Sequence, residues 1–194
     1  MKAKIDATDF KRIIDNTKRF TGSECSGSKF SWIYLQIDAE SKAIRATALD
    51  GHKISIEFAA VSEADESFSC YIKPNIPKIT RNDSYVDIEV SNNRLYVQVG
   101  ESIMGYVQPE GEYYGTEKMI NDLLSTPKAL TIGVDATLLK EALASISNYG
   151  NRIPIAKIEL RGPKDAIVIR SGERGKRENI KIVLPVNLRC EDYS

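Results

Sequence analysis

Apolar residues recur at intervals of three and four near the start of the chain. In residues 9–20 these positions are Phe10, Ile13, Ile14, Thr17 and Phe20. Such spacing places them along one side of a helix, so it predicts an amphipathic helix with one buried face. Asp6 or Thr8 can cap its first turn, and Gly22 is suited to end it.

Most of the remaining chain alternates between apolar and polar residues, which is typical of half-buried β-strands. Asp50 and Gly51 separate two such stretches and predict a tight hairpin turn, because both residues tolerate positive φ angles. After this turn the alternation leads us to expect Ile54, Ile56 and Phe58 on one buried face. The predicted strands are residues 2–6, 30–38, 43–49, 53–61, 68–72, 85–90, 94–99, 103–108, 155–161, 166–171 and 179–188.

An internal repeat organises these elements. The stretch Ile5–Ile14 matches Val134–Leu143: both contain Asp-Ala-Thr, then a lysine three residues later, with apolar positions in register. The match predicts another helix over residues 137–148, ended by Gly150. The order strand, helix and three strands then occurs three times, which predicts an α+β fold of three βαβββ units with antiparallel sheets.

The middle unit has the weakest helix signal. Residues 73–80 contain two prolines, and proline is tolerated only in the first turn of a helix. We therefore expect each unit to contain one helix, the second of them short.

The repeat also predicts how the chain divides. We expect residues 1–120 to form one domain of two βαβββ units, and residues 127–194 to form the third unit. Residues 109–127 are mainly polar and contain two glycines, so they are the predicted linker, with room for one helical turn near its end.

Composition narrows the class of protein. Apolar residues make up 42% and charged residues 28% of the chain, as in ordinary folded proteins. Lys plus Arg and Asp plus Glu are 27 each, so nucleic-acid binding would require the positive charge to be confined to one face. The three cysteines lack the spacing of a disulfide framework or a zinc site. With neither a signal peptide nor a long apolar run, we expect a cytoplasmic protein that does not enter membranes.

Enzyme chemistry has little support in the sequence. His52 is the only histidine, and the chain has no nucleophile motif and no glycine-rich phosphate loop. We therefore expect no catalytic site, no metal site and no cofactor. An enzyme that uses His52 is the weakest hypothesis, because no partner for it is identifiable.

Basic residues lie on the predicted outer side of the first helix and near the other two helices. A face of this kind can contact DNA phosphates without regard to sequence, or it can simply be solvated. The candidate residues are Lys11, Arg12, Lys18 and Arg19 on the first helix, Lys73, Lys78 and Arg81 beside the second, and Lys140 and Arg152 on or after the third.

Two stretches resemble the bacterial DNA sliding clamp, the β subunit of DNA polymerase III. Ala48–Ile54 is similar to the Thr-Asp-Gly-His-Arg-Leu segment of the middle domain of the clamp. Ile182–Leu188 is similar to the Val-Met-Pro-Met-Arg-Leu tail that ends the clamp. The family has threonine where this chain has Leu49, arginine where it has Lys53, and arginine where it has Asn187.

The resemblance implies the DNA clamp fold, with the middle domain and half of the following one represented. In the family these two stretches contribute to a pocket that captures short hydrophobic peptides. Phe30 is matched only through the spacing of its strand. The peptide-binding residues implied here are Phe30, Leu49, Gly51, His52, Lys53, Ile54, Ile182, Leu184, Pro185 and Val186.

The function implied by the resemblance is that of a processivity factor without catalytic activity of its own. Such a protein would bind double-stranded DNA non-specifically, recruit polymerase and clamp-loader peptides, and act as a homo-oligomer. The alternative is a clamp-fold module that binds partner peptides and does not encircle DNA.

Overall fold

A computed structural model describes residues 1–23, 28–111, 113–146, 155–172 and 179–186. The backbone divides into two units, Met1–Glu117 and Lys118–Ser194.

The first unit begins with strand β1 (Lys2–Asp6) and helix α1 (Ala7–Thr17), followed by one 3-10 turn (Lys18–Phe20). The Asp6 carboxylate caps α1, since its Oδ1 accepts the backbone N–H groups of Thr8 at 2.8 Å and Asp9 at 3.1 Å. The helix predicted from the apolar spacing is confirmed. Its buried side consists of Ala7, Phe10, Ile13, Ile14 and Thr17.

An eight-stranded antiparallel sheet forms the rest of this unit, and α1 lies against β1, β3, β4 and β6. The strands stand in the order β5-β2-β3-β4-β1-β6-β7-β8. A second 3-10 turn (Ser28–Ser31) precedes β2. The remaining strands are β2 (Ile33–Asp38), β3 (Ala43–Leu49), β4 (Ile54–Ala64), β5 (Phe68–Ile72), β6 (Tyr85–Ser91), β7 (Arg94–Val99) and β8 (Ser102–Val107).

The prediction of which face of β4 is buried is wrong, because the other face of the strand lies on the core side. Ala59 pairs with the fully buried Ile44, so Ser55, Glu57 and Ala59 lie on the side of the sheet that α1 covers. Ile54, Ile56 and Phe58 therefore lie on the outer face, where Phe58 is 60% exposed. The expectation failed because alternation gives the period of a strand but does not say which side the helix covers.

The prediction of a short helix in the middle unit is also wrong. Residues 73–80 form neither a helix nor a strand, and Pro77 is buried. Proline lacks an N–H and disfavours helical geometry in the preceding residue, so two prolines in eight residues prevent a helical turn. In place of a helix, Ile76 and Ile79 pack against the core of the sheet.

The predicted linker contains more structure than one helical turn. Helix α2 (Thr116–Ser125) occupies ten of its residues and crosses the division between the two units. The stretch has no glycine or proline after Gly115 until Pro127, so nothing interrupts the helix earlier.

The second unit repeats the beginning of the first. Helix α3 (Ala136–Ala144) is capped by Asp135, whose Oδ1 accepts the N–H groups of Thr137 at 2.7 Å and Leu138 at 3.2 Å. A bridge between Val134 and Pro185 stands in the place of the first strand. The three-stranded sheet has the order β11-β10-β9, with β9 (Lys157–Glu159), β10 (Ile167–Ser171) and β11 (Asn179–Val183).

The core of the second unit is small. Ile167, Ile169 and Val183 are buried in it, and Leu139 and Ala142 of α3 pack against them. The α+β fold with antiparallel sheets is confirmed. The predicted end of the third helix at Gly150 lies outside the described residues. None of the described helices could span a bilayer.

Candidate functional site

The turn between β3 and β4 is organised by Asp50. Its Oδ1 accepts the backbone N–H groups of His52 at 3.0 Å and Lys53 at 3.1 Å. These hydrogen bonds lower the pKa of the Asp50 carboxyl below its ordinary value, and the one from His52 has the largest effect. Gly51 has a φ of 90°, which favours glycine at this position. The predicted turn is therefore formed, with His52 exposed at its tip.

An apolar cluster lies beside this turn. Leu49, Tyr71 and Tyr113 are buried at its centre, and Ile54 packs against them. Phe30 packs there too and stacks on Tyr114, with ring centroids 4.3 Å apart. The structure thus brings together three of the predicted peptide-binding residues: Phe30, Leu49 and Ile54.

The side chain of Lys53 makes contacts within the first unit. Its Nζ donates to the backbone oxygen of Arg19 at 2.6 Å and lies 5.2 Å from the centroid of the Phe20 ring. These contacts join the hairpin turn to the end of α1. The exposed residues Gly51 and His52 therefore stand on a well-anchored turn next to the apolar cluster.

The other predicted peptide-binding residues belong to the second unit. Ile182, Leu184 and Val186 are 64%, 69% and 44% exposed. Pro185 is half-buried in its bridge to Val134, and the N–H of Val186 donates to the backbone oxygen of Gly133 at 3.0 Å. The segment from β11 onward thus presents three apolar side chains from alternate positions. Asn187 and Leu188 lie outside the described residues.

The basic side of α1 is largely paired with acidic side chains. Asp15 binds Lys11 and, at 2.5 Å, Lys18, and these hydrogen bonds lower the pKa of the Asp15 carboxyl. Arg12 contacts Asp9 at 3.2 Å and Glu57 at 3.0 Å. Arg19 is exposed and makes no ion pair with any residue that the structure describes. The net positive charge of this side is thus smaller than the sequence pattern indicates.

The remaining predicted DNA-binding residues have different surroundings. Lys73 donates to Ser31 Oγ at 2.9 Å and lies 4.6 Å from the centroid of the Trp32 ring, so it is tied to the sheet. Lys78, Arg81 and Lys140 are exposed. Arg152 lies outside the described residues.

The sequence interpretation missed the aromatic residues of the cluster. Trp32 directly precedes β2, Tyr34 lies between buried residues of β2, and Tyr71 lies in β5. Tyr113 and Tyr114 fall in the predicted linker, where a pair of adjacent tyrosines was the available signal. Tyr113 stacks on Tyr34, with ring centroids 4.9 Å apart.

No known family model matches the chain. No curated protein matches it either. Several solved structures of bacterial sliding clamps do match it.

The DNA polymerase sliding clamp of Bacillus subtilis has a TM-score of 0.78 and 16% sequence identity, over 95% of this chain and 49% of that one. The β subunit of DNA polymerase from Streptococcus pyogenes gives a TM-score of 0.77 and 18% identity, over 95% and 50% of the two chains. A putative DNA polymerase III β subunit from Eubacterium rectale gives 0.75 and 16%, over 95% and 50%.

The chain therefore has the fold of the bacterial sliding clamps, and it spans about half the length of those solved structures. At these identities the similarity establishes the fold alone.

Proposed function

We propose that this chain is a clamp-type processivity factor: it binds partner peptides at an apolar site, contacts DNA without sequence preference and has no catalytic activity. The observation that carries the proposal is the apolar cluster of Phe30, Leu49 and Ile54 beside the Asp50-Gly51 turn, within a sliding-clamp fold. An apolar surface with a few polar groups at its rim suits capture of a short hydrophobic peptide.

The second half of the proposed peptide site is the segment Ile182–Val186. Ile182, Leu184 and Val186 expose apolar side chains that a monomeric chain gains nothing by leaving in water. Together with Pro185 they form the tail that resembles the end of the clamp. In the proposal each of the two segments contributes to peptide binding, the first of them together with Gly51, His52 and Lys53.

DNA binding is proposed for the exposed basic residues. Contacts to phosphate need only positive charge within reach of the duplex, and Arg19, Lys78, Arg81 and Lys140 are exposed. Lys11, Arg12 and Lys18 can exchange a carboxylate for a phosphate, because exposed ion pairs are weak. The residues proposed to bind DNA also include Lys73 and Arg152.

The peptide site is tested with a fluorescently labelled peptide that carries the clamp-binding segment of a polymerase. Leu184→Asp places a charge among the exposed apolar residues, and we expect the peptide affinity to fall at least about tenfold, or ~1.4 kcal/mol. Ile155→Asp is the matched control, because Ile155 is 71% exposed in the same unit and is not part of the proposed site. Equal affinity of Leu184→Asp and the unsubstituted protein would remove the second unit from the peptide site.

The DNA contacts are tested with a duplex at low ionic strength. We expect the double variant Lys18→Glu, Arg19→Glu to bind about tenfold more weakly and to show a shallower dependence on salt. The double variant Lys2→Glu, Lys4→Glu is the control, since both lysines lie on the sheet face opposite α1. If the two double variants lose affinity equally, α1 is not the DNA-binding element.

Ring closure is tested by retention on circular DNA. A protein that encircles a duplex stays on a closed circle and slides off after linearisation. We expect retention only on the circle, together with a mass in solution above the 21.6 kDa of one chain.

The second candidate is a clamp-fold module that binds peptides and does not encircle DNA. The pairing of Lys11, Arg12 and Lys18 with acidic residues favours it, because a paired face attracts phosphates less strongly. A protein of monomeric mass that binds the labelled peptide but is not retained on circular DNA would select this candidate.

A further inference from the structure

The sheet of the first unit is built from two halves that exchange their first strands. The first half consists of α1 and β1–β4, and the second half consists of β5–β8. Strand β1 pairs with β6 of the second half, where Ile5 lies opposite Val86. In the same way β5 pairs with β2 of the first half, where Ile72 lies opposite Ile33. Each half therefore covers a strand edge that the other half leaves open.

The second unit has the layout of one such half. Helix α3 corresponds to α1, and β9, β10 and β11 correspond to β2, β3 and β4. Val134 takes the place of Ile5, since it bridges Pro185 as Ile5 pairs with Val61 of β4. Among the described residues, β9 pairs with one neighbouring strand, β10, whereas β2 pairs with both β3 and β5. The outer edge of β9 is thus the edge that a second half covers in the first unit.

The side chain of Ile158 shows what this open edge leaves in water. Ile158 of β9 pairs with Ile169 of β10, as Leu35 of β2 pairs with Ala46 of β3. Leu35 is fully buried, with Cys70 of β5 opposite it. Its counterpart Ile158 is 52% exposed.

Two further positions show the same difference. Leu160, two residues after Ile158, is 51% exposed, whereas its counterpart Ile37 is buried. On the helix, Leu143 aligns with Ile14 in the internal repeat, and it is 38% exposed where Ile14 is fully buried. In the first unit β5 lies against β2, and β6 lies against α1. The apolar side chains that the second unit exposes are therefore the ones for which the first unit has a partner half.

A second copy of the second unit can supply both missing neighbours. Its segment 131–134 fits against β9 as β5 fits against β2, and its β9 fits against segment 131–134 as β6 fits against β1. The register of the first unit then places Ile132 opposite Ile158 of the partner subunit, and Thr131 opposite Glu159 of the partner subunit. No two like charges lie opposite each other in this register. Because the contact is reciprocal, it closes a dimer with two-fold symmetry.

We propose that two copies of this chain dimerise through the second unit, each pairing its segment 131–134 with β9 of the other copy. The dimer covers Ile158, Leu160 and Leu143 and ends the open edge of β9, which is otherwise a site for unspecific strand pairing. The interface does not depend on the proposed peptide and DNA binding, because it shares no residue with either site. A dimer that binds neither peptide nor DNA would leave this interface intact and contradict only the proposed function.

The first test is the mass of the full chain in solution, measured by sedimentation equilibrium. We expect twice the 21.6 kDa of one chain, falling towards one chain on dilution. Ile158→Lys places a charge at the centre of the interface, and we expect the Kd of the dimer to rise at least about a hundredfold. Ile180→Lys is the matched control, because Ile180 is 45% exposed on the opposite face of the same sheet, where it pairs with Arg170.

The unsubstituted protein and the Ile180→Lys control should have the same mass. A chain that stays monomeric at every concentration would overturn the proposal and leave the exposed edge to a different partner. Equal dimerisation of Ile158→Lys and Ile180→Lys would also overturn it.

The second test checks the register with two single-cysteine variants that are mixed and mildly oxidised. We expect a disulfide between Thr131→Cys of one copy and Glu159→Cys of the other, identified by peptide mass spectrometry, because paired residues of adjacent strands lie close together. Thr131→Cys mixed with Ile180→Cys is the control and should give no such bond. A dimer without the disulfide between positions 131 and 159 would contradict the assigned pairing. If circular dichroism shows that Ile158→Lys does not fold, the cysteine pair still decides.

Discussion

Two adjacent residues, Asp50 and Gly51, determine the conformation of the turn between β3 and β4. Asp50 closes the turn through hydrogen bonds to two backbone N–H groups, and Gly51 adopts the positive φ that the turn requires. These local interactions involve neighbouring residues only. For that reason the turn could be predicted from its residue types, whereas the contact of Lys53 with Arg19 and Phe20 could not.

The first prediction concerns Asp50. Asp50→Ala removes both hydrogen bonds and should lower the stability of the first unit at pH 7, measured by urea unfolding with Trp32 fluorescence. The folded-state pKa of Asp50 lies below the ordinary value of 3.8. Its stabilisation is therefore fully present above pH 3.8 and is lost as the pH falls below that value.

The difference between Asp50→Ala and the unsubstituted protein should accordingly shrink as the pH is lowered through this range. Asp65→Ala, at an exposed position after β4, is the control and should change stability little. A difference that grows on acidification would contradict the role given to the Asp50 carboxylate.

At the scale of elements, the two helices α1 and α3 begin in the same way. Asp6 and Asp135 each accept two backbone N–H groups at the first turn, so the repeated Asp-Ala-Thr motif corresponds to a repeated structure. The middle unit has no such motif, and its prolines exclude the helix altogether. Helix formation in this chain therefore follows local sequence closely.

A second prediction follows from the capping geometry. Asp6→Ala should destabilise the first unit by about 1 kcal/mol, the usual cost of losing an N-cap. Thr8→Ala should cost less than about 0.5 kcal/mol, because the sequence offered Thr8 as an alternative cap and Asp6 fills that role. Urea unfolding followed by circular dichroism measures both. A larger effect of Thr8→Ala would reverse the assignment of the cap.

At the scale of the whole molecule, each of the two units has a main core of its own. Phe10 is fully buried in the first unit, and Ile169 is 1% exposed in the second. The only tryptophan, Trp32, packs in the first unit and so reports on that unit.

The third prediction uses this arrangement. Phe10→Ala should destabilise the transition reported by Trp32 by about 3–5 kcal/mol, which is typical of a truncated core phenylalanine. Ile169→Ala should make the second unit unfold at a lower urea concentration, as followed by circular dichroism. It should change the free energy of the transition reported by Trp32 by no more than about 0.5 kcal/mol. If both variants shift the Trp32 transition equally, the two units unfold as one cooperative block.

Much of the fold could be predicted because it depends on local patterns. The strands Lys2–Asp6, Ala43–Leu49, Phe68–Ile72 and Arg94–Val99 have the bounds that the alternation indicates. The candidate site was only partly predictable. Leu49 and Ile54 were found through their resemblance to the clamp, whereas Tyr113 and Tyr114 stand far along the chain in a stretch without periodicity.

The sequence by itself determined the period of α1 and of the strands, and the repetition of the Asp-Ala-Thr motif at the start of α1 and α3, because these depend on residues close to each other along the chain. Only the tertiary structure decided which face of β4 is covered, that Ile76 and Ile79 pack where a helix was expected, and that Asp9, Asp15 and Glu57 neutralise the basic side of α1. The physical reason is that burial and charge pairing depend on which surface another element covers, and alternation along one strand carries no information about that surface.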